Sequence, residues 1–232
     1  MIRLFALLLL LLPSAAFAEE RRVGLGSFER VRINGAFEVT ITTGASPGAS
    51  VTGDRGAIAD IDLHSEGSTL TVRRTTAGRW GEQTRAVGAP VRIVLTTPAL
   101  SGVAVAGGSR VRVTRLAAPR VDLSAAGNGA IEVGAVQADQ FTVQLVGEGK
   151  VTVAGRAGVA RLSATGAGAI DAAGLEAGEL TVRLDGLGTI AARARYTAQV
   201  TSSGLGTVTV AGRPKCRVTA AAGAPVTCGA GD

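Results

Sequence analysis

From residue 101 onward, hydrophobic and polar residues alternate in short runs, and one glycine-containing turn separates each run from the next. The turn reads Gly-x-Gly-x-(Ile/Val), with Ser109 in place of the second glycine in the first copy. Successive copies are 20, 20, 19, 20 and 18 residues apart, and they begin at Gly107, Gly127, Gly147, Gly166, Gly186 and Gly204. A period near 20 residues is typical of architectures in which similar units stack on one another.

Aligning the copies on their first glycine places residues of similar character at the same position. We call each set of equivalent positions a column. Four columns are aliphatic or small, and in the first copy they contain Val103, Val105, Val111 and Val113. The positions between them are polar or small, so each segment is predicted to be a strand with one face inside. A fifth column alternates in size, as a filled interior requires, and it runs Val121, Phe141, Ala160, Leu180 and Ala198.

These columns predict an all-β fold, namely a right-handed parallel β-helix (β-solenoid) with coils of about 20 residues. Stacked coils would form parallel ladders around an aliphatic interior, and parallel crossovers are almost always right-handed. Glycine and β-branched residues are too dense for helices in the repeats. Eleven glycines are predicted to act as structural turns through positive φ or close backbone approach: Gly107, Gly127, Gly129, Gly147, Gly149, Gly166, Gly168, Gly186, Gly188, Gly204 and Gly206.

The first 18 residues are typical of a secretory signal peptide. Arg3 provides the basic start, residues 4–12 form the apolar core, and Ala16-Phe17-Ala18 forms a small-x-small cleavage site. The apolar run is too short to cross a bilayer as a helix, and no later run is long enough. We therefore expect an exported protein, periplasmic or secreted to the cell surface. Residues 19–232 are predicted to form a single β-helix domain, with regular glycine-turn coils at 101–228.

The only two cysteines, Cys216 and Cys228, lie in the last predicted coil. An exported protein meets an oxidising compartment, so the pair is predicted to form a disulfide. Pro225 lies between them and lacks a backbone donor. We expect the disulfide and the proline to stop further strand pairing at this end of the solenoid.

Residues 28–100 alternate as well, but without the short repeat. Asn34-Gly35 is a turn signal that forms either a hairpin or a corner, and residues 75–90 form the longest predicted loop. Short motifs follow one another ahead of the glycine turns: Ile33-Asn34-Gly35-Ala36-Phe37, Gly53-Asp54, Leu70-Thr71-Val72 and Thr97-Pro98-Ala99-Leu100.

This order of motifs, over about residues 28 to 215, resembles the putative auto-transporter adhesin head GIN domain family. The resemblance implies an exported, β-helical, adhesin-like domain. It supplies no catalytic residues, and the closing cysteine pair is not part of the family pattern.

The repeats show no clear catalytic constellation. The acidic residues are expected in different outward columns, so no stacked pair would hold calcium or divide acid and base roles; they are Asp122, Glu132, Glu148, Asp171 and Asp185. Aromatic platforms for sugars are not expected in the coils, and His64 lacks a nucleophile motif nearby. We therefore predict no catalytic residue, no cofactor and no metal ligand, and the scarcity of aromatic residues disfavours nucleic acid.

Two functions remain open at this point. The first is a non-enzymatic, adhesin-like binding or structural module that presents a flat β-helix surface to a cell-envelope or surface partner. The alternative is a carbohydrate-active β-helix enzyme, a polysaccharide lyase or hydrolase. The formal net charge falls from +6 to +5 when Arg3 leaves with the signal peptide, so an anionic glycan is one candidate partner. Homo-oligomer formation is left open, as is the face that binds.

Overall fold

The computed structural model describes residues 19–75, 91–221 and 223–230. The predicted signal peptide and nearly all of the predicted loop at 75–90 lie outside these ranges. Within them the chain forms 17 strands and one short helix, α1 (Arg55–Ala59). The strands are β1 (Glu19–Val23), β2 (Arg30–Asn34), β3 (Glu38–Thr43), β4 (Gly48–Gly53), β5 (Ile61–Glu66), β6 (Thr69–Arg74), β7 (Arg92–Thr97), β8 (Gly102–Ala106), β9 (Arg110–Ala117), β10 (Arg120–Gly127), β11 (Ala130–Gly147), β12 (Lys150–Gly166), β13 (Ala169–Gly186), β14 (Thr189–Ser202), β15 (Thr207–Gly212), β16 (Lys215–Ala220) and β17 (Val226–Ala230).

The strands build a β-solenoid of about six turns, which confirms the predicted fold class. One parallel ladder runs through β6, β2, β8, β10, the second halves of β11 to β14, and β16. A second parallel ladder runs through β7, β3, β9, the first halves of β11 to β14, β15 and β17. The right-handed sense of the coil stays a prediction from the crossover rule.

The predicted aliphatic columns form the interior. Every member of the four columns is at most 3% exposed, because successive copies lie directly above one another in the ladders. In the fifth column Ala160 lies between Phe141 and Leu180, and all three are buried. Ser202 is the polar exception in the columns, and its buried hydroxyl has no hydrogen-bond partner among the described residues.

The glycine turns form one corner of each coil. The first glycine of the turn has a positive φ, between 101° and 123°, in the first five copies. Gly204 in the sixth copy lacks this positive φ, but a Cβ there would collide with the carbonyl oxygen of Gly186. The second glycine allows close stacking, since a Cβ on Gly149 would lie 2.6 Å from the carbonyl oxygen of Gly129.

The Asn34-Gly35 turn is a corner rather than a hairpin, because β2 and β3 belong to different ladders. Ser109 links the first glycine turn to this corner by hydrogen bonds. Its buried hydroxyl donates a hydrogen bond to the carbonyl oxygen of Gly35 (2.9 Å) and accepts one from the Phe37 N–H (3.1 Å).

The N-terminal end of the solenoid is capped by antiparallel strands and by α1. Strand β5 pairs antiparallel with β6, while β4 lies antiparallel to both β7 and β1. The helix buries Ile58 in the core. On β1, hydrogen bonds from Arg22 and then Ser50 hold the pKa of the Glu20 carboxyl below its ordinary value.

The C-terminal end is closed differently. The predicted disulfide between Cys216 and Cys228 is present, with 6.2 Å between the Cα atoms. Cys216 follows Ala198 in register, and Cys228 follows Val210, so the bond crosses between two interior columns.

The disulfide therefore covers the end of the core and leaves the strand edges uncovered. Pro225 accepts a hydrogen bond from the Val208 N–H, so it faces β15 and does not lie on the outer edge. Among the described residues, β16 pairs with β14 alone and β17 with β15 alone. Pro225 therefore does not block the outer edge of β17, and the expectation that the disulfide stops further pairing here stays a prediction.

Candidate functional site

Each of the long strands β11 to β14 bends at a second corner. Along the chain, this corner lies between one glycine turn and the next. The ladder register shifts at this corner: Val133 lies opposite Val153, but Val136 lies opposite Gly155. Similar shifts occur between Thr152 and Ala154 and after Ala172. The unequal repeat lengths are therefore absorbed here, in β-bulges that redirect the backbone and its side chains.

The bulged corner forms an open groove of about 820 Å³ along successive coils. We call it the lateral groove, and its lining residues are Ala118, Pro119, Val136, Gln137, Ala138, Asp139, Gly155, Arg156, Ala157, Gly158, Glu176, Gly178, Arg195 and Tyr196.

The floor of the lateral groove consists of glycine backbone. Asp139, Gly158 and Gly178 occupy equivalent positions in three successive coils, because the residues immediately before and after them pair in register. A Cβ on Gly158 would lie 2.9 Å from the Asp139 carbonyl oxygen, and one on Gly178 would lie 2.7 Å from the Gly158 carbonyl oxygen. Side chains would not fit between these stacked backbones, so the groove stays concave.

Polar side chains form one wall of the groove. Gln137, Arg156 and Glu176 stand in register on successive coils. Arg115 donates a hydrogen bond to Gln137 Oε1 (2.7 Å), and Arg195 approaches Glu176 Oε1 at 3.7 Å. These contacts orient the amide and the carboxylate while leaving further donor and acceptor positions available.

Tyr196 stands at the C-terminal end of the groove and is 59% exposed. Its ring packs beside Gly178, where a Cβ would lie 3.6 Å from Tyr196 Cδ2. The Arg195 guanidinium carbon lies 5.4 Å from the ring centroid, within the range of a cation–π contact. The coils therefore expose one aromatic ring, at a place where no aromatic platform for sugars was expected from the sequence.

The charges that line the groove cancel. Asp139 and Glu176 are acidic, whereas Arg156 and Arg195 are basic. A balanced site attracts a polyanion less than the net charge of the whole chain suggests.

The five acidic residues singled out in the sequence do not assemble into a site. Contrary to expectation, Glu132 and Asp171 share one column, because both stand five residues after their glycine, but Thr152 separates them in the ladder. Glu132 instead pairs with Arg112 at 2.9 Å. Within residues 19–75, 91–221 and 223–230 no group of three His, Cys, Asp or Glu side chains is placed to hold a metal ion.

Two other surfaces are less concave. A flat face of small residues holds a depression of about 280 Å³, with Ala169, Thr189 and Thr207 in register on one column. At the glycine-turn corner, Leu187 and Leu205 are 68% and 64% exposed at the tips of the last two turns. Neither surface combines an aromatic ring with several hydrogen-bonding side chains.

Comparison with known proteins identifies the family. A family model described as putative auto-transporter adhesin, head GIN domain, matches residues 27–214. The chain belongs to this family, as its motif order predicts. No curated protein sequence matches the chain. In the described part of this GIN-domain protein, no helix is long and apolar enough to span a membrane.

Several solved structures are similar to this GIN-domain protein. A putative adhesin from Bacteroides fragilis NCTC 9343 matches with a TM-score of 0.78 and 19% identity, over 94% of this chain and 96% of that chain. A putative adhesin from Parabacteroides merdae ATCC 43184 matches with a TM-score of 0.70 and 17% identity, over 90% and 95%. A putative lipid binding protein from Parabacteroides distasonis ATCC 8503 matches with a TM-score of 0.71 and 17% identity, over 90% and 96%. At these identities the likeness shows the fold alone.

Proposed function

We propose that the protein is an exported, non-enzymatic, adhesin-like module that binds a glycan of a cell-envelope or cell-surface partner in the lateral groove. Membership of an adhesin family supports a binding role. The observation that carries the proposal is the exposed Tyr196 ring at the end of a glycine-floored groove walled by Gln137, Arg156 and Glu176.

The chemistry of the groove suits a sugar chain. Each sugar presents an apolar ring face and a rim of hydroxyl groups that both donate and accept hydrogen bonds. An exposed aromatic ring offers a flat apolar surface with a polar tip. Amide, carboxylate and guanidinium groups supply fixed acceptors and donors for hydroxyls. The open, elongated shape fits a segment of a polymer better than an enclosed small molecule.

The balanced charge of the groove favours a neutral glycan over an anionic one. The earlier candidate, an anionic glycan, rests on the net charge of the whole chain rather than on the site. Two acids and two bases line the groove, and Arg195 is already engaged by Glu176. We therefore expect uronic-acid polymers to bind more weakly than neutral polysaccharides at physiological ionic strength.

The test is binding of purified mature protein to immobilised neutral and uronic-acid polysaccharides, followed by titration calorimetry with the best binder. Tyr196→Ala removes the ring and should weaken binding about tenfold or more, as expected for an exposed aromatic anchor. Tyr196→Phe keeps the ring and should retain most of the affinity. Leu187→Ala is the matched control, since Leu187 is an exposed large residue at a different corner.

Several results would contradict the proposal. One is an equal loss of affinity in Tyr196→Ala and Leu187→Ala, and another is the absence of saturable binding to any polysaccharide. Release of shortened or unsaturated sugar products during incubation would instead support the alternative, a polysaccharide lyase or hydrolase.

A further inference from the structure

The floor of the lateral groove ends on the Tyr196 ring. Gly178 on β13 lies opposite the bulge of β14 that contains Tyr196, because the pairing register shifts there. The ring thus continues the floor column one coil beyond Gly178, and a Cβ on Gly178 would lie 3.6 Å from Tyr196 Cδ2. The floor therefore runs parallel to the solenoid axis, in the order Asp139, Gly158, Gly178 and Tyr196.

The polar wall follows the floor coil by coil. Gln137, Arg156 and Glu176 are in register, and each stands two residues before a floor residue of its own coil. Neighbouring strands lie about 4.8 Å apart, so the three coil steps from the Tyr196 ring to the level of Gln137 cover about 14 Å. The groove is therefore a straight track, with a polar side chain beside each of the floor positions that precede the ring.

The two possible directions of a bound chain differ in the contacts that they offer. A chain lying across the groove, along the strands, would contact the polar side chain of a single coil. A chain lying along the axis reaches the ring and all three polar side chains, and it gains a hydrogen-bonding partner with each coil that it passes. The axial direction therefore uses the whole site.

We propose that the lateral groove holds an extended, β-1,4-linked glycan parallel to the solenoid axis, with about four sugar rings between Tyr196 and Gln137. The inference rests on the proposed function, because it names the class of glycan and its orientation in the same site. A β-1,4-linked chain of glucose-type sugars is nearly straight, and it advances by one ring over a distance similar to the spacing of the coils. An α-1,4-linked chain coils into a helix and would curve away from the straight floor.

The two ends of the track contribute differently to binding. Tyr196 stacks on one sugar ring, so it supports glycans of every length. Gln137 is reached only by a chain that covers the whole floor. Arg115 donates a hydrogen bond to Gln137 Oε1 (2.7 Å), so the amide is oriented while its nitrogen can donate to a sugar hydroxyl.

The test is titration calorimetry of the mature protein with β-1,4-linked oligosaccharides of glucose and of N-acetylglucosamine, from two to six units long. The α-1,4-linked glucose series of the same lengths is the matched control, since only the linkage differs. Affinity for at least one β-linked series should rise about tenfold from two to four units and then level off. The α-linked series should show no such gain.

Two exposed glutamines on β11 provide a matched pair of variants. Gln137→Ala should lower the affinity for the four-unit chain about fivefold or more, and change that for the two-unit chain by less than about twofold. Gln144→Ala alters the same residue type on the same strand, outside the groove, and should leave both affinities unchanged. Tyr196→Ala should weaken the binding of both lengths. Circular dichroism checks that each variant keeps the fold.

The outcomes separate this inference from the proposed function. Tyr196-dependent binding with equal affinity for two and four units would overturn the axial track and leave the proposed function standing. An equal loss for both lengths in Gln137→Ala, or a gain with length in the α-linked series, would have the same consequence. So would binding of neutral polysaccharides without binding of either β-linked series. Absence of binding to every glycan would overturn both.

Discussion

At the scale of single residues, the ladder determines which side chains fit. A residue in an interior column contacts its equivalents one coil above and one coil below, so its size is set by theirs. Glycine occurs where even a Cβ would meet the backbone of the preceding coil, as at Gly149. The inward positions could be predicted from the sequence, because alternation and the 20-residue period fix them independently. The exposed Tyr196 could not, because nothing local shows that a bulge turns this ring outward.

The size of Ala160 is a direct test of the stacking register. Ala160→Leu adds bulk between Phe141 and Leu180, and all three are buried. We expect a loss of roughly 1–3 kcal/mol in the free energy of unfolding, measured by urea denaturation. The control is Arg161→Ala on the exposed side of the same strand, which should change stability by less than about 0.5 kcal/mol.

The close approach of coils at the glycine turns makes a second prediction. In Gly149→Ala the new Cβ would lie 2.6 Å from the Gly129 carbonyl oxygen, so the coils must separate. We expect destabilisation of roughly 1–3 kcal/mol by thermal and chemical denaturation. Gly26→Ala meets no atom within 4 Å and should be neutral or stabilise by up to about 1 kcal/mol. Equal effects from the two changes would contradict the close stacking of the turns.

At the scale of elements, the regular coils followed from the sequence and the ends did not. The parallel ladders could be predicted because the same columns recur at each glycine turn. The antiparallel pairing of β1, β4 and β5 joins segments far apart in the chain, so no periodicity reveals it. Helix α1 has only five residues and includes Gly56, so burial of Ile58 rather than helix propensity holds it in place. The lateral groove had one sequence signal, the unequal repeat length, since bulges absorb the difference.

The last coil depends on the disulfide. In Cys216→Ser with Cys228→Ser, the link that crosses the interior is lost, and on the chain-entropy model a loop of this size contributes about 3 kcal/mol. We expect amide hydrogen exchange to accelerate across residues 212–230, while residues 101–200 keep their protection. Unchanged protection across the last coil in this variant, together with two free thiols in the wild-type protein, would show that the disulfide does not hold it.

At the scale of the whole molecule, the solenoid works as a rigid rod with distinct sides. The interior is continuous, so each side keeps its shape along successive coils. The sides differ in chemistry. One is a flat face of small residues, and another exposes Leu187 and Leu205 at the tips of glycine turns. A third contains the lateral groove with the Tyr196 ring and the polar wall. We therefore expect binding to be confined to one side of the rod.

The most direct test is amide chemical-shift mapping of the isotope-labelled mature protein during titration with the neutral polysaccharide that binds best. We expect the largest shifts in residues 137–139, 155–158, 176, 178, 195 and 196, which line one side on four successive coils. The same titration of Tyr196→Ala should shift these amides only at much higher glycan concentration. Shifts concentrated on the flat face around Ala169, Thr189 and Thr207, or at the tips of Leu187 and Leu205, would contradict the assignment of the lateral groove as the binding site.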